Sequence, residues 1–231
     1  MKVCVLGAGS LGSTIGGALA KAGNEVHFVG RAPHMNAINE NGLVMVTPTG
    51  EETVRLSGHT TPDGIGPCDL VIVLCKAFDT AKTMEEGRGL VGPNTTVMSL
   101  QNGLGAEDVL CDCVGAEHVI GGKTYIGGML LEPGRVQATI PGKDTFIGEL
   151  DGSVTERTRA IGAAFEEAGM HCIVSDNIMG VSGISSWSML PRARCAASRI
   201  CPMAICTKKK SWWLVPAPLF RKAWTLPRRL A

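Results

Sequence analysis

The chain has 231 residues, 45% of them hydrophobic and 19% charged, with a formal net charge of +1. That length buries the core of one or two domains, and the near-neutral balance argues against a nucleic-acid or membrane partner. Nine cysteines, an odd number without framework spacing, point to reduced thiols and a cytosolic, cytoplasmic setting.

Val3, Cys4, Val5 and Leu6 form a short continuous apolar run of the kind a buried parallel strand needs. The run is too short for a signal peptide, and no apolar stretch of the chain approaches the length of a membrane span. Directly after it, Gly7-Ala8-Gly9-Ser10-Leu11-Gly12 spells G-x-G-x-x-G, and a helical pattern runs from Leu11 to Ala22. In a dinucleotide-binding turn the first glycine makes the tight turn and the second admits a pyrophosphate to the backbone. The third lets the helix pack closely on the strand. Amides at the helix start point at the phosphates, and the helix dipole favours their charge. Gly7, Ala8, Gly9, Ser10, Leu11 and Gly12 are therefore the candidate cofactor cradle.

Gly16, Gly17 and Ala18 are small enough to lay the helix close to a sheet, and Gly23 ends it. Glu25 to Val29 is the second strand. An NAD-binding fold places an acidic ribose ligand at the end of that strand, but this chain has Gly30 and Arg31. A guanidinium there suits a 2′-phosphate through charge-assisted bonds, which favours NADP; an ordinary solvated arginine is the alternative. A short helix is expected over Met35–Glu40, then strands at Leu43–Thr47 and Thr53–Leu56. Asp69 to Cys75 is a buried strand that Lys76 ends, followed by helix up to Leu90. Thr95 to Leu100 is a further strand ending in Gln101-Asn102-Gly103, and a helix follows from Ala106 to Cys113.

Alternating units of this kind predict a Rossmann-like doubly wound parallel sheet, with ligands at the carboxyl ends of its strands. The glycine loop, Arg31, Lys76 and Asn102 all fall at such ends. Taken singly, Lys76 could be a solvated lysine and Asn102 turn chemistry before a glycine. Val119 to Leu150 reads as antiparallel strands closing the domain. Ser153 to Gly169 reads as a helix capped by a Ser153/Glu156 box, Cys172–Val174 as a strand, and Ser175-Asp176-Asn177 as the cap of a following helix. Cys111 and Cys113 lack neighbouring histidines, so no metal site is expected.

At this point the chain resembles the 2-dehydropantoate 2-reductase (ketopantoate reductase) family. The resemblance rests on GAGSLG, the V-G-R ending strand two, L-C-K-A-F-D-T, S-L-Q-N-G-L-G, G-G-K-T-Y, F-I-G-E and S-D-N-I-M, in order over residues 1–180. It implies NADPH-dependent reduction of a 2-oxo acid, 2-dehydropantoate, to a 2-hydroxy acid in pantothenate biosynthesis. It implies that Gly7, Gly9, Gly12 and Arg31 hold NADP. Lys76 would lie beside the nicotinamide end, and Asn102 would contact both cofactor and substrate. The oligomeric state is open.

The family's principal general acid is a lysine in a W-x-K-L-x-x-N helix directly after D-N-I-M. Here Val181 is followed by S-G-I-S-S-W-S-M-L-P-R-A-R-C, so no catalytic residue carries over, and only Lys76 and Lys123 stand near enough to substitute. Residues 182–231 carry ten Lys plus Arg, all four Trp and no Asp or Glu; the preceding 181 hold 12 basic against 21 acidic residues. A reading frame that starts one base earlier, on the third base of the Val181 codon, permits I-W-N-K-L-L-V-N-V-A-T-G-A-L across Val181 to Cys195. It forces Val from the Trp212–Trp213 codons and Asp from Trp224–Thr225. The expectation is an NADP-binding domain over residues 1–175 and a frameshifted remnant of the family's α-helical second domain over 176–231, giving an impaired enzyme. The alternatives are a noncatalytic NADP-binding module and, for the basic tail taken at face value, a nucleic-acid or membrane-surface arm.

Overall fold

The computed structural model describes residues 1–103 and 105–181. Expectations for residues 182–231, including the frameshifted remnant and the basic arm, lie outside the described residues.

The strands are β1 (Lys2–Leu6), β2 (Glu25–Val29), β3 (Leu43–Thr47), β4 (Gly50–Val54), β5 (Ser57–His59), β6 (Leu70–Val73), β7 (Thr96–Ser99), β8 (Val119–Thr124), β9 (Gly127–Glu132), β10 (Arg135–Thr139), β11 (Thr145–Glu149) and β12 (Cys172–Val174). The helices are α1 (Ser10–Lys21), α2 (Ala32–Asn41), α3 (Thr80–Glu86), α4 (Ala106–Val114) and α5 (Glu156–Glu167). Eight strands form one sheet in the order β12-β11-β8-β7-β6-β1-β2-β5. β1 pairs in parallel with both β2 and β6, and β6, β7 and β8 continue in parallel. From β1 the chain first builds outward through β2, then returns to β6 and builds the other way. The crevice between β1 and β6 is the point where strand order reverses, where open α/β sheets take ligands.

Both faces of this sheet are covered, which is why its strands are apolar without alternation. Val3, Val5, Leu70, Ile72 and Met98 pack with α1, α2 and α5 on one face, through Ile15, Leu19, Met35, Ile38, Ile161 and Phe165. Cys4, Leu6, Val71, Val73 and Val97 turn to the other, against Met84, Leu90 and Leu110 of the α3 and α4 side. The small residues of α1 perform the expected close packing: a Cβ on Gly16 would lie 2.2 Å from the Phe28 ring.

Several details differ from the sequence expectation. The region 119–150 is antiparallel only in part. β11 does run antiparallel to β8 and β9 to β10, but β8 joins β7 in parallel. β9 and β10 leave the main sheet to build a second one, ordered β4-β3-β10-β9, in which β10 lies parallel to β3. This small sheet covers the outer side of α1, where Leu43, Met45, Val136 and Ala138 join the core. β5 is a short edge strand beside β2 that the pattern around Thr53–Leu56 did not separate from β4. α2 begins at Ala32, ahead of the expected Met35, because Pro33 fits the first turn of a helix.

The cap of α5 is Thr155, not Ser153. The Ser153 amide is taken by the Asp151 carboxylate at 2.8 Å, while Thr155 and Thr158 exchange side-chain and backbone bonds across the first turn. Asn177 meets its expectation, accepting from the Gly180 amide at 3.1 Å as a helix opens at residue 178. Among the described residues no helix is long and apolar enough to cross a membrane, and no group of three or more His, Cys, Asp or Glu could hold a metal ion.

Candidate functional site

The loop after β1 is held by both neighbouring strands. The Gly7 and Ala8 amides donate to the Val29 carbonyl, each at 3.0 Å, which ties the loop to the end of β2. Gly7 has φ +91°, and a Cβ there would lie 2.5 Å from the backbone nitrogen of Cys75, beyond the end of β6. Only glycine combines that left-handed backbone with so close an approach. Gly9, at the N-cap of α1, is the opposite case: nothing stands within 4 Å of the Cβ it lacks. Gly12 beds against the Gly7 carbonyl, 2.9 Å from its missing Cβ, and against Val5 at 3.1 Å. The three glycines thus serve a turn, an open approach and a helix–strand contact, in the order the fingerprint requires. The first turn of α1 carries no acidic residue, so its positive end faces the opening undiminished.

Two adjoining clefts run along the carboxyl ends of the central strands. One, of about 260 Å³, is lined by Gly7, Ala8, Gly9, Gly30, Arg31 and Lys76 among others. Its neighbour, about 420 Å³, is lined by residues that include Leu11, Lys76, Phe78, Leu100, Gln101 and Asn102. They share Leu74, Cys75 and Lys76, so they read as one groove with the glycine loop at its centre. Of the candidate residues, Gly7, Ala8, Gly9, Leu11, Arg31, Lys76 and Asn102 line it. Ser10 and Gly12 do not: the Ser10 hydroxyl accepts from the Leu130 amide at 3.2 Å, and Gly12 is buried under the loop.

Arg31 is exposed at the N-cap of α2, and among the described residues no carboxylate lies within salt-bridge distance of it. Lys76 is exposed at the far side of the opening, its Nζ 5.7 Å from the centroid of the Phe78 ring. That ring is 80% exposed, a large apolar surface at the mouth of the groove. Asn102 accepts through Oδ1 from Lys123 Nζ at 3.3 Å.

Two residues of the site are given no role by the sequence alone, although one of them, Gln101, lies inside the S-L-Q-N-G-L-G motif. Gln101 joins the ends of β6 and β7: its Nε2 donates to the Cys75 carbonyl at 2.7 Å, and its Oε1 accepts from Thr80 Oγ1 at 3.1 Å. Its place beside Asn102 at a strand end was the available signal. His34 lies behind the glycine loop, its Nδ1 accepting from the Gly134 amide and its Nε2 meeting Ser13 Oγ, both at 2.8 Å. Since Nδ1 accepts, Nε2 carries the proton and donates to Ser13. Burial pushes the His34 pKa down and keeps the ring neutral. A lone histidine gives no sequence clue to that role.

Residues 3–152 match the family described as ketopantoate reductase PanE/ApbA. This chain belongs to the ketopantoate reductase family. It is 36% identical over 180 residues to the 2-dehydropantoate 2-reductase of Pyrococcus horikoshii, an alignment covering 78% of this chain and 58% of that protein. The crystal structure of 2-dehydropantoate 2-reductase from Geobacter metallireducens aligns with a TM-score of 0.71 at 36% identity, over 76% of this chain and 58% of that one. A ternary structure of D-mandelate dehydrogenase with NADH and anilino(oxo)acetate aligns at 28% identity and a TM-score of 0.71, over 78% and 58% of the two chains. The chain therefore spans somewhat more than half the length of the ketopantoate reductases it matches.

Proposed function

We propose that this chain holds NADPH along the groove and presents it to 2-dehydropantoate, the 2-oxo acid reduced by the enzymes it resembles. The observation that carries this reading is the placing of the glycine loop, Arg31, Lys76 and Asn102 on one groove at the reversal of strand order. The groove fits a dinucleotide: the space a side chain at Gly9 would fill is open, and Gly9 is the N-cap of α1, where the first-turn amides have no intrahelical partner. Gly7, Ala8 and Gly9 would shape the pyrophosphate site, and Arg31 would hold the 2′-phosphate. The donors to the pyrophosphate would be the first-turn amides of α1, since the amides of Gly7, Ala8 and Gly9 are themselves taken by backbone carbonyls. Lys76 and Asn102 would lie toward the nicotinamide and substrate.

When bound, the reduced nicotinamide supplies hydride to the C2 carbonyl of the oxo acid. The chain's residues would orient the two reactants and favour their negative charges. The developing alkoxide also needs a proton, which a positioned cation delivers best. The W-x-K-L-x-x-N lysine implied by the family is absent from this sequence, so we expect NADPH binding with poor turnover. The same absence favours the second reading, a noncatalytic NADP-binding module. We also propose that the binding domain is residues 1–175, that 176–231 derive from the helical second domain out of frame, and that the protein works in the cytosol. The odd count of nine cysteines without framework spacing supports that compartment.

Titrating the purified chain with NADPH and then assaying turnover of 2-dehydropantoate tests the reading. Tight NADPH binding with slow turnover supports it. No NADPH binding refutes the cofactor assignment, and turnover at the rate of an intact family enzyme refutes the impairment.

A further inference from the structure

Lys123 is left unused by the reaction above, and its setting is unusual. It stands on β8 and is 8% exposed, a burial lysine rarely reaches unless it is paired. Its Nζ donates to Asn102 Oδ1 at 3.3 Å and lies 5.9 Å from the centroid of the Tyr125 ring. Tyr125 in turn meets Phe146, the residue opposite Lys123 on β11, edge-on at 6.4 Å. Among the described residues no carboxylate lies within 4.0 Å of the ammonium. A buried cation thus has one aromatic ring and one amide oxygen beside it, the latter from Asn102, which lines the groove.

An asparagine side chain offers oxygen on one side and N–H groups on the other, and its two rotamers differ little in shape. Its neighbours decide which way it points. An ammonium can only donate, so the side of Asn102 that faces Lys123 has to be the oxygen. The amide Nδ2 is then left on the opposite side with both its hydrogens. Gln101 is fixed by the complementary rule: the Cys75 carbonyl can only accept, so it selects Nε2. Two consecutive amides at the end of β7 are locked, one by an acceptor and one by a cation.

We propose that Lys123 is a positioning residue: it holds Asn102 so that Nδ2 turns its N–H groups toward the groove, where they meet an oxygen of a 2-oxo acid. The proposal rests on the substrate reading given above. No proton or electron passes through Lys123; it sets the polarity of the group beside it. The Lys123 charge also raises the local positive potential, which suits a carboxylate-bearing ligand.

The test uses the full chain saturated with NADP⁺, so that 2-dehydropantoate binds without being reduced. Lys123→Met keeps the length of the stem and removes the donor, while Lys123→Arg keeps a cation that can only donate. The dissociation constant for 2-dehydropantoate should rise roughly tenfold in Lys123→Met and recover in Lys123→Arg, with NADP⁺ affinity as the control for folding. In an Asn102→Ala background, Lys123→Met should add nothing further. Independently of any ligand, the Asn102 side-chain amide resonances, assigned by their loss in Asn102→Ala, should move in Lys123→Met. Failure of the unmutated chain to bind NADP⁺ would overturn the cofactor reading and this proposal together. Normal binding of both ligands with an unchanged constant in Lys123→Met would overturn this proposal alone. So would unmoved amide resonances, or a further loss in the Asn102→Ala background.

Discussion

Gly7 and Gly9 sit two residues apart in one loop, yet the structure assigns them separate tasks, and substitution should separate them. At Gly7 an alanine would take a left-handed backbone, φ +91°, and place its Cβ 2.5 Å from the Cys75 nitrogen. The backbone conformation costs about 1–2 kcal/mol and the overlap about 1–3 kcal/mol, since strand backbone yields little. At roughly 2–4 °C per kcal/mol for a chain of this size, Gly7→Ala should lower Tm by about 4–20 °C. At Gly9 the backbone is ordinary, φ −92°, the position is the N-cap of α1, and the Cβ would meet nothing within 4 Å. Serine is a good N-cap, so Gly9→Ser should leave Tm unchanged or slightly raised. Its side chain would nevertheless occupy the space through which the proposed pyrophosphate reaches the first-turn amides of α1. Losing one charge-assisted bond of about 1.5–3 kcal/mol weakens NADPH binding by a factor of roughly 10–150. Thermal melting by circular dichroism and a fluorescence titration with NADPH read the two quantities on the same samples. A Gly9→Ser chain that binds NADPH as tightly as the unmutated one would refute the placement of the phosphates. One that melts as early as Gly7→Ala would refute the open approach.

Arg31→Glu should narrow or reverse a preference for NADPH over NADH, because a charge-assisted phosphate contact of about 1.5–3 kcal/mol is exchanged for a ribose ligand; equal affinities for the two cofactors in the unmutated chain would sink the assignment. His34 has its folded pKa depressed below the usual 6.5 by burial, so its contribution is whole above pH 6.5 and is lost as pH falls through that value toward the folded pKa. A urea series between pH 7.5 and 5 should show that decline shrink in His34→Gln; an identical slope in both would exclude His34 as its source. Restoring I-W-N-K-L-L-V-N after Gly180 should raise 2-dehydropantoate turnover at saturating NADPH by roughly 10²–10⁴, the usual contribution of a general acid. Equal rates for the two chains would show that the missing lysine is not what limits the reaction.

The groove was legible in the sequence because its parts are local. A strand, three glycines and a helix follow one another within Lys2 to Gly12, and Arg31, Lys76 and Asn102 each end an apolar run. What could not be read were choices between near-equal local options, or contacts made far along the chain. Ser153 and Thr155 are both capable caps, and the Asp151 carboxylate, by taking the Ser153 amide, decides between them. β9 and β10 look like any hairpin; only the outer side of α1, which needs cover, draws them away from the main sheet. The role of His34 depends on the Gly134 amide, a hundred residues away, and no periodicity encodes that meeting.

The parallel pairing of β10 with β3 has a consequence for how this molecule acquires its shape. Val44 lies beside Arg135 and Val46 beside Gln137, so the small sheet closes only after the intervening α/β units have been made. Such distant partners slow the search for the native state, since a long stretch of chain must be ordered before the contact returns anything. During synthesis, α1 and the glycine loop would emerge early and wait, one side bare, for the hairpin that carries Gly134. A polypeptide cut after β7 would retain the whole fingerprint yet leave Leu43 and Met45 without their cover from Val136 and Ala138. A unit of this chain that keeps that cover therefore reaches through β10 to Thr139, more than a hundred residues beyond the motif that marks the loop.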